Sequence, residues 1–123
     1  MMNRRTDPRN NARFSLKNLL SIRALRERFA LAVVGTADGV LMAGSDETRA
    51  AERVAAHVSA ELRDRTGPNR FVRSGSRDVS LSGLRFQAGG RSLCLAVLQP
   101  GGAVSDASLD SIAARVRAIL SGD

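Results

Sequence analysis

Two side chains stand out as able to do nucleophilic or acid–base chemistry, the single histidine, His57, and the single cysteine, Cys94. A catalytic histidine needs a proton to move and a partner, usually a carboxylate, to orient its ring. His57 falls on the flank of a helical apolar stripe, and the sequence identifies no carboxylate partner for it. Cys94 sits in SLCLAVL, a run that reads as a buried strand, where a thiol behaves as a small hydrophobe. One histidine and one cysteine do not make a zinc set. Asp106 and Asp110 are spaced i, i+4 and could suggest paired acids, but carboxylates at the start of a helix are already favoured by its dipole. Gly35-Thr-Ala-Asp-Gly39 and Gly101-Gly102 lack the GxxxxGK[ST] and GxGxxG spacings of phosphate loops and read as turns, with Asp38 a turn residue. The expectation is no catalytic residue, no cofactor and no metal.

What these residues sit on is more informative. Ala30–Leu62 reads as a hairpin feeding an amphipathic helix. Residues 30–36 and 40–44 are short apolar runs joined by Ala37-Asp38-Gly39, where glycine supplies a left-handed turn conformation. Ser45-Asp46 offers oxygens to cap a helix over about residues 46–64, with Glu47 adding negative charge to its first turn. Ala51, Val54, Ala55, Val58 and Leu62 form its core stripe. Its opposite face gathers Arg49, Arg53, Ala56, Ala60 and Arg63, a flat alanine centre edged by arginine. Two readings stand: a solvated face made of good helix formers, or a docking face on which small residues let another backbone approach.

Upstream, residues 1–13 are polar, rich in Arg and Asn and broken by Pro8, which reads as a mobile basic arm ahead of a single domain over 14–123. Residues 15–28 look helical with apolar groups on two sides, Phe14, Ile22, Leu25 and Phe29 on one and Leu16 and Leu20 on the other. Either that helix has two partners, or residues 14–20 do not belong to one regular helix. Downstream, Thr66-Gly67-Pro68-Asn69 breaks the second helix, and residues 70–78 fit a short strand or a basic loop. Val79, Leu81, Leu84 and Phe86 alternate with a phase change at Ser82-Gly83 that suggests a bulge or turn. Gly89-Gly90 marks a hairpin, Ser92–Leu98 a central strand, and Ser105-Asp106 the start of a last amphipathic helix stopped by Gly122.

At 123 residues, 43% apolar and 25% charged, the chain is one globular domain. With four Phe and no Trp or Tyr, the core falls to Leu, Val, Ile and Ala. The net charge of +7 is uneven: residues 1–30 carry eight cations against Asp7 and Glu27, leaving the rest nearly neutral. A basic arm could contact an acidic partner, anionic lipid or nucleic acid, or simply aid solubility. The neutral body and the lack of Tyr and Trp for stacking count against nucleic acid. The lone thiol fits a reducing compartment, and there is neither a signal peptide nor a membrane-spanning run, so the expected location is cytoplasmic.

ALAVVGTADGVLMAGS, the helix ETRAAERVAAHVSAEL, then GLRFQAGGRSLCLAVLQPGG and the closing SLDSIAARVRAIL together resemble the roadblock/dynein light chain family, including its bacterial members, over residues 15–121. The resemblance implies an α+β fold, a five-stranded mostly antiparallel sheet with helices on both faces in the order α-β-β-α-β-β-β-α. It further implies a non-catalytic dimer, of like or unlike roadblock-like chains, that binds, regulates or scaffolds a small Ras-like GTPase. On that pattern the third strand is the dimer edge, and Arg49, Arg53, Ala56, Ala60 and Arg63 are where a partner or second subunit makes contact. An arginine finger supplied in trans is conceivable on this resemblance, although bacterial relatives mostly reorganise the GTPase's own residues. The competing class is a basic-arm protein associated with nucleic acid or an anionic surface.

Overall fold

The computed structural model describes residues 8–63, 69–75 and 78–121. The elements follow the expected order: α1 (Pro8–Glu27), β1 (Leu31–Thr36), β2 (Leu41–Gly44), α2 (Arg49–Arg63), β3 (Arg70–Ser74), β4 (Val79–Ala88), β5 (Arg91–Pro100) and α3 (Asp106–Leu120). The sheet order is β2-β1-β5-β4-β3, and every neighbouring pair is antiparallel. The Ser92–Leu98 run accordingly lies at the centre, flanked by β1 and β4.

Both faces of this sheet are covered. On one, Leu16 and Leu20 of α1 and Leu109, Ile112, Ala113 and Val116 of α3 pack on Ala32, Val34, Leu84, Phe86, Leu95 and Val97. On the other, Ala51, Ala55, Val58 and Leu62 of α2 pack on Leu31, Val33, Phe71, Cys94 and Ala96. Alternate residues of β1 and β5 thus serve opposite cores, as a period of two requires. This also explains β5's near-continuous apolar sequence.

The double coverage corrects one expectation. β4 runs through Ser82-Gly83 without a bulge, with unbroken register against both β3 and β5. The phase change in its sequence marks a change in which face is apolar: Leu81 belongs to the α2 side, Leu84 and Phe86 to the other. Gly83 is glycine for space, since a Cβ there would lie 2.5 Å from Phe71 Cε1 and 2.9 Å from Val58 Cγ1. The irregularity in the sheet falls instead between Val34 and Gly35, where the β1–β2 register shifts.

Helix ends differ in detail from the expected ones. α1 begins at Pro8, so residues 8–13, read as arm, are its opening turns, and residues 1–7 lie outside the described residues. Proline suits a first helical position because its missing N–H has no intrahelical partner there. Both-sided apolarity in α1 is real: Leu16 and Leu20 are buried while Phe14, Ile22 and Leu25 are exposed. Phe29 departs from that outer side, because the chain leaves the helix at Arg28 (φ 63) and Phe29 folds into the core.

α2 starts at Arg49, three residues later than expected, and Thr48 Oγ1 accepts from the Ala51 N–H at 3.4 Å. Ser45 is occupied elsewhere, its Oγ accepting from the Ala32 N–H at 3.0 Å, which ties β2's end to β1. Glu47 accepts from the Gly44 N–H and meets Arg13 at 3.1 Å. At α3 the cap is as expected, with Ser105 Oγ accepting from the Ser108 N–H. The 66–69 breaker falls largely, and Gly122 wholly, outside the described residues.

Candidate functional site: the outer face of the second helix

The outer face of α2 presents four of the five singled-out residues as exposed, Arg49, Arg53, Ala56 and Arg63, with Ala60 half-buried. The helix sits unusually close to the hairpin beneath it. A Cβ on Gly35 would come within 3.2 Å of Ala55 Cβ, and one on Gly39 within 3.2 Å of Ala56 Cα and 2.8 Å of Ser59 Oγ. Gly39 also has φ +92, so the turn needs glycine for conformation as well as space.

This gives the alanines of α2 an internal reason. Ala51 and Ala55 are buried against the sheet, and Ala56 receives the β1–β2 turn on one side while remaining open on the other. Arg63 also serves the turn, its Nη1 donating to the Ala37 carbonyl at 3.2 Å. The five residues are therefore not one uniform surface: Ala56 and Arg63 border the hairpin. Arg49 and Arg53 make no ion pair or hydrogen bond with another described residue, so their guanidinium groups are available to a partner.

Toward β3 the same surface continues. Arg73 reaches back to α2, placing Nη2 2.6 Å from Glu61 Oε2 and Nη1 3.4 Å from His57 Nε2, and its guanidinium lies over the Phe71 ring at 5.8 Å. His57 is thus an exposed neighbour of an arginine. Among the described residues β3 pairs only with β4, and Val72 on it is 52% exposed. A five-residue edge strand carrying an exposed valine is open to pairing along its free side.

The remaining candidates serve structure. Burial pushes the Cys94 thiol pKa up, which keeps it protonated and unreactive. Asp106 and Asp110 both hold Arg70, at 3.4 and 2.9 Å, fastening β3 to the start of α3. The bond to Asp110 is the largest influence holding the Arg70 guanidinium above its ordinary pKa. Arg117 donates to the Gln87 carbonyl and stacks over Phe86. Gly89 (φ 60) and Gly90 (φ 77) make the β4–β5 turn, and Gly101 (φ 84) and Gly102 (φ 148) a later one. Among the described residues no three metal-binding side chains cluster.

Sequence reasoning missed Ser59, buried under the Gly39 turn with its Oγ donating to the Ala56 carbonyl at 3.1 Å, and the part Arg70 plays. Ser59 adjoins the α2 core stripe and could have been included by helical angle. Arg70 lay in the segment left open between strand and loop.

No family model matches the sequence, and no curated protein does. Solved structures do match in three dimensions. A Roadblock/LC7 domain from Streptomyces avermitilis superposes with TM-score 0.63 at 21% identity, over 83% of this chain and 91% of that one. An MglB structure with a tetrameric arrangement gives TM-score 0.67 at 13% identity, over 90% and 91%. MglB from Myxococcus xanthus gives 0.61 at 11% identity, over 98% and 90%. The chain therefore has the roadblock/LC7 fold, and at these identities the fold is what it shares with them.

Proposed function

We propose that this chain is a non-catalytic interaction module that works as a dimer and binds, to regulate or scaffold, a small Ras-like GTPase through the outer face of α2. The observation that carries the reading is that face: an exposed Ala56 and a half-buried Ala60 beside two arginines that no described residue pairs, set on a roadblock-type sheet. A flat alanine surface lets a second helix approach closely, and unpaired arginines suit acidic groups of a partner. The free edge of β3 beside it would continue a sheet into a second subunit, like or unlike. The tetrameric arrangement of one MglB with this fold is in keeping with self-association. On this reading the chain acts by holding GTPase switch segments in one conformation and supplies no catalytic residue of its own. The reading goes with a cytoplasmic setting. No helix among the described residues is long and apolar enough to cross a membrane.

The test combines solution mass by light scattering with binding to a panel of purified Ras-like GTPases loaded with GDP or a GTP analogue. A dimer is expected, with affinity for at least one GTPase that depends on the nucleotide and falls tenfold or more in Arg49→Glu/Arg53→Glu. A monomer at tens of micromolar that binds none of the panel overturns the reading. Ala60 is a cleaner probe of contact than Ala56, because enlarging Ala56 also disturbs the turn at Gly39.

A further inference from the structure

The opposite face of the sheet carries a second surface, independent of the one just described. Between α1 and α3 runs a groove of about 640 Å³, lined among others by Asn18, Leu19, Ile22, Arg26, Arg115 and Ile119. Two of its lining residues, Leu19 and Ile119, are apolar and partly buried against the core. On its α1 wall, among Ser15, Asn18, Arg23 and Arg26, Ile22 is 53% exposed. The apolar surface continues over the crest of α1 through Leu25, 84% exposed, and Phe14, 65% exposed.

The charge at this groove has one sign. Arg26 and Arg115 make no ion pair or hydrogen bond with another described residue. The carboxylates nearby are already engaged. Glu27 takes Arg23 on one oxygen at 2.6 Å and the Ser108 hydroxyl on the other at 2.8 Å. Asp106 and Asp110 of α3 are held by Arg70. A mostly polar groove that exposes a few apolar side chains, with cations on both walls that no described residue neutralises, is complementary to an amphipathic helix with a narrow apolar stripe and an acidic border.

We infer that the α1–α3 groove is a docking site for an acidic amphipathic helix of a partner protein. The helix's apolar stripe seats on Leu19, Ile22 and Ile119 while its Asp or Glu side chains reach Arg26 and Arg115. Charge decides against the other occupants close at hand. A second copy of α1 would bring like cations together, and residues 1–7 carry Arg4 and Arg5 against Asp7, the same sign again. A flat anionic bilayer would meet the crest at Phe14 and Leu25 and leave the recessed floor unfilled.

The experiment selects binders for the full-length chain from a displayed library of helix-forming peptides of about 20 residues, long enough to span ~30 Å when helical. The expected winners carry Asp or Glu beside a Leu/Ile stripe. Their affinity should fall tenfold or more in Arg26→Glu/Arg115→Glu, weaken with salt, and be unchanged in Arg49→Glu/Arg53→Glu, which separates this site from the α2 face. Ile22→Ser, at a half-exposed position, is the second variant should the charge reversal fail to fold, and it should weaken the same peptides. No enrichment, enrichment without acidic residues, or binding indifferent to these variants overturns the inference. So does sedimentation of the chain with 7:3 phosphatidylcholine:phosphatidylserine vesicles that the charge reversal abolishes, which assigns the face to a membrane. A solution mass that the charge reversal lowers assigns it to a second copy and overturns the inference equally.

Discussion

Gly83 shows how much of this molecule rests on what a residue leaves out. Its hydrogen gives room to the Phe71 ring from β3 and to Val58 from α2, where edge strand, sheet and helix meet. Its backbone makes no unusual demand, so substitution is a test of space alone. Gly83→Ala should destabilise the domain by about 1–3 kcal/mol, because the clash falls on buried groups that cannot turn aside. A lowered denaturant midpoint with an unchanged slope would be the expected signature. Wild-type stability in Gly83→Ala would mean that Phe71 repacks freely.

The elements differ in how securely they are fastened. Among the described residues the backbone of β3 pairs with β4 alone, while Arg70 reaches Asp106 and Asp110 of α3 and Arg73 reaches Glu61 and His57 of α2. Because the two aspartates are largely exposed, Arg70→Met should cost at most about 1 kcal/mol of global stability. The local effect should be larger: amide exchange across Arg70–Ser74 should quicken relative to β4, read residue by residue by NMR. Equal exchange in both proteins would show that the Arg70 pairs do not hold the strand.

Much of the element layout was legible in the sequence, and the failures share a cause. The Ala37-Asp38-Gly39 and Gly89-Gly90 turns, the central strand, the α3 stripe and its Ser105 cap all follow from local chemistry. Ser45 and Thr48 could each cap α2, and the choice was made by β1, whose Ala32 N–H claims Ser45. Ser82-Gly83 looked like a break because a sequence does not show that a strand has two buried faces. The α2 surface was legible as a group of residue types, but the hairpin's claim on Ala56 and Arg63 was not, since that contact depends on how closely the helix lies on Gly35 and Gly39.

At the scale of the whole molecule, two surfaces of different character lie on opposite sides of one sheet. α2 alone covers one face and offers alanine and arginine beside an open strand edge. α1 and α3 share the other and leave a basic groove between them. On the two proposals made above, partners of the two surfaces would be kept apart by the sheet between them.

The strand order carries a consequence for how the chain reaches this state. β4 and β5 pair along their full lengths through a two-residue glycine turn, whereas β1 must find the other side of β5 from far back in the sequence, Leu31 opposite Leu98. Closing the short loop first is entropically cheaper, so the hairpin at Gly89-Gly90 is expected to form early and serve as the template on which β1 docks. Gly90→Ala places a side chain at φ +77 in open space, straining the turn and nothing else. That strain should slow refolding by up to about tenfold while barely changing the unfolding rate. A variant that instead unfolds faster and refolds normally would put β1, and not the glycine turn, at the start of the folding route.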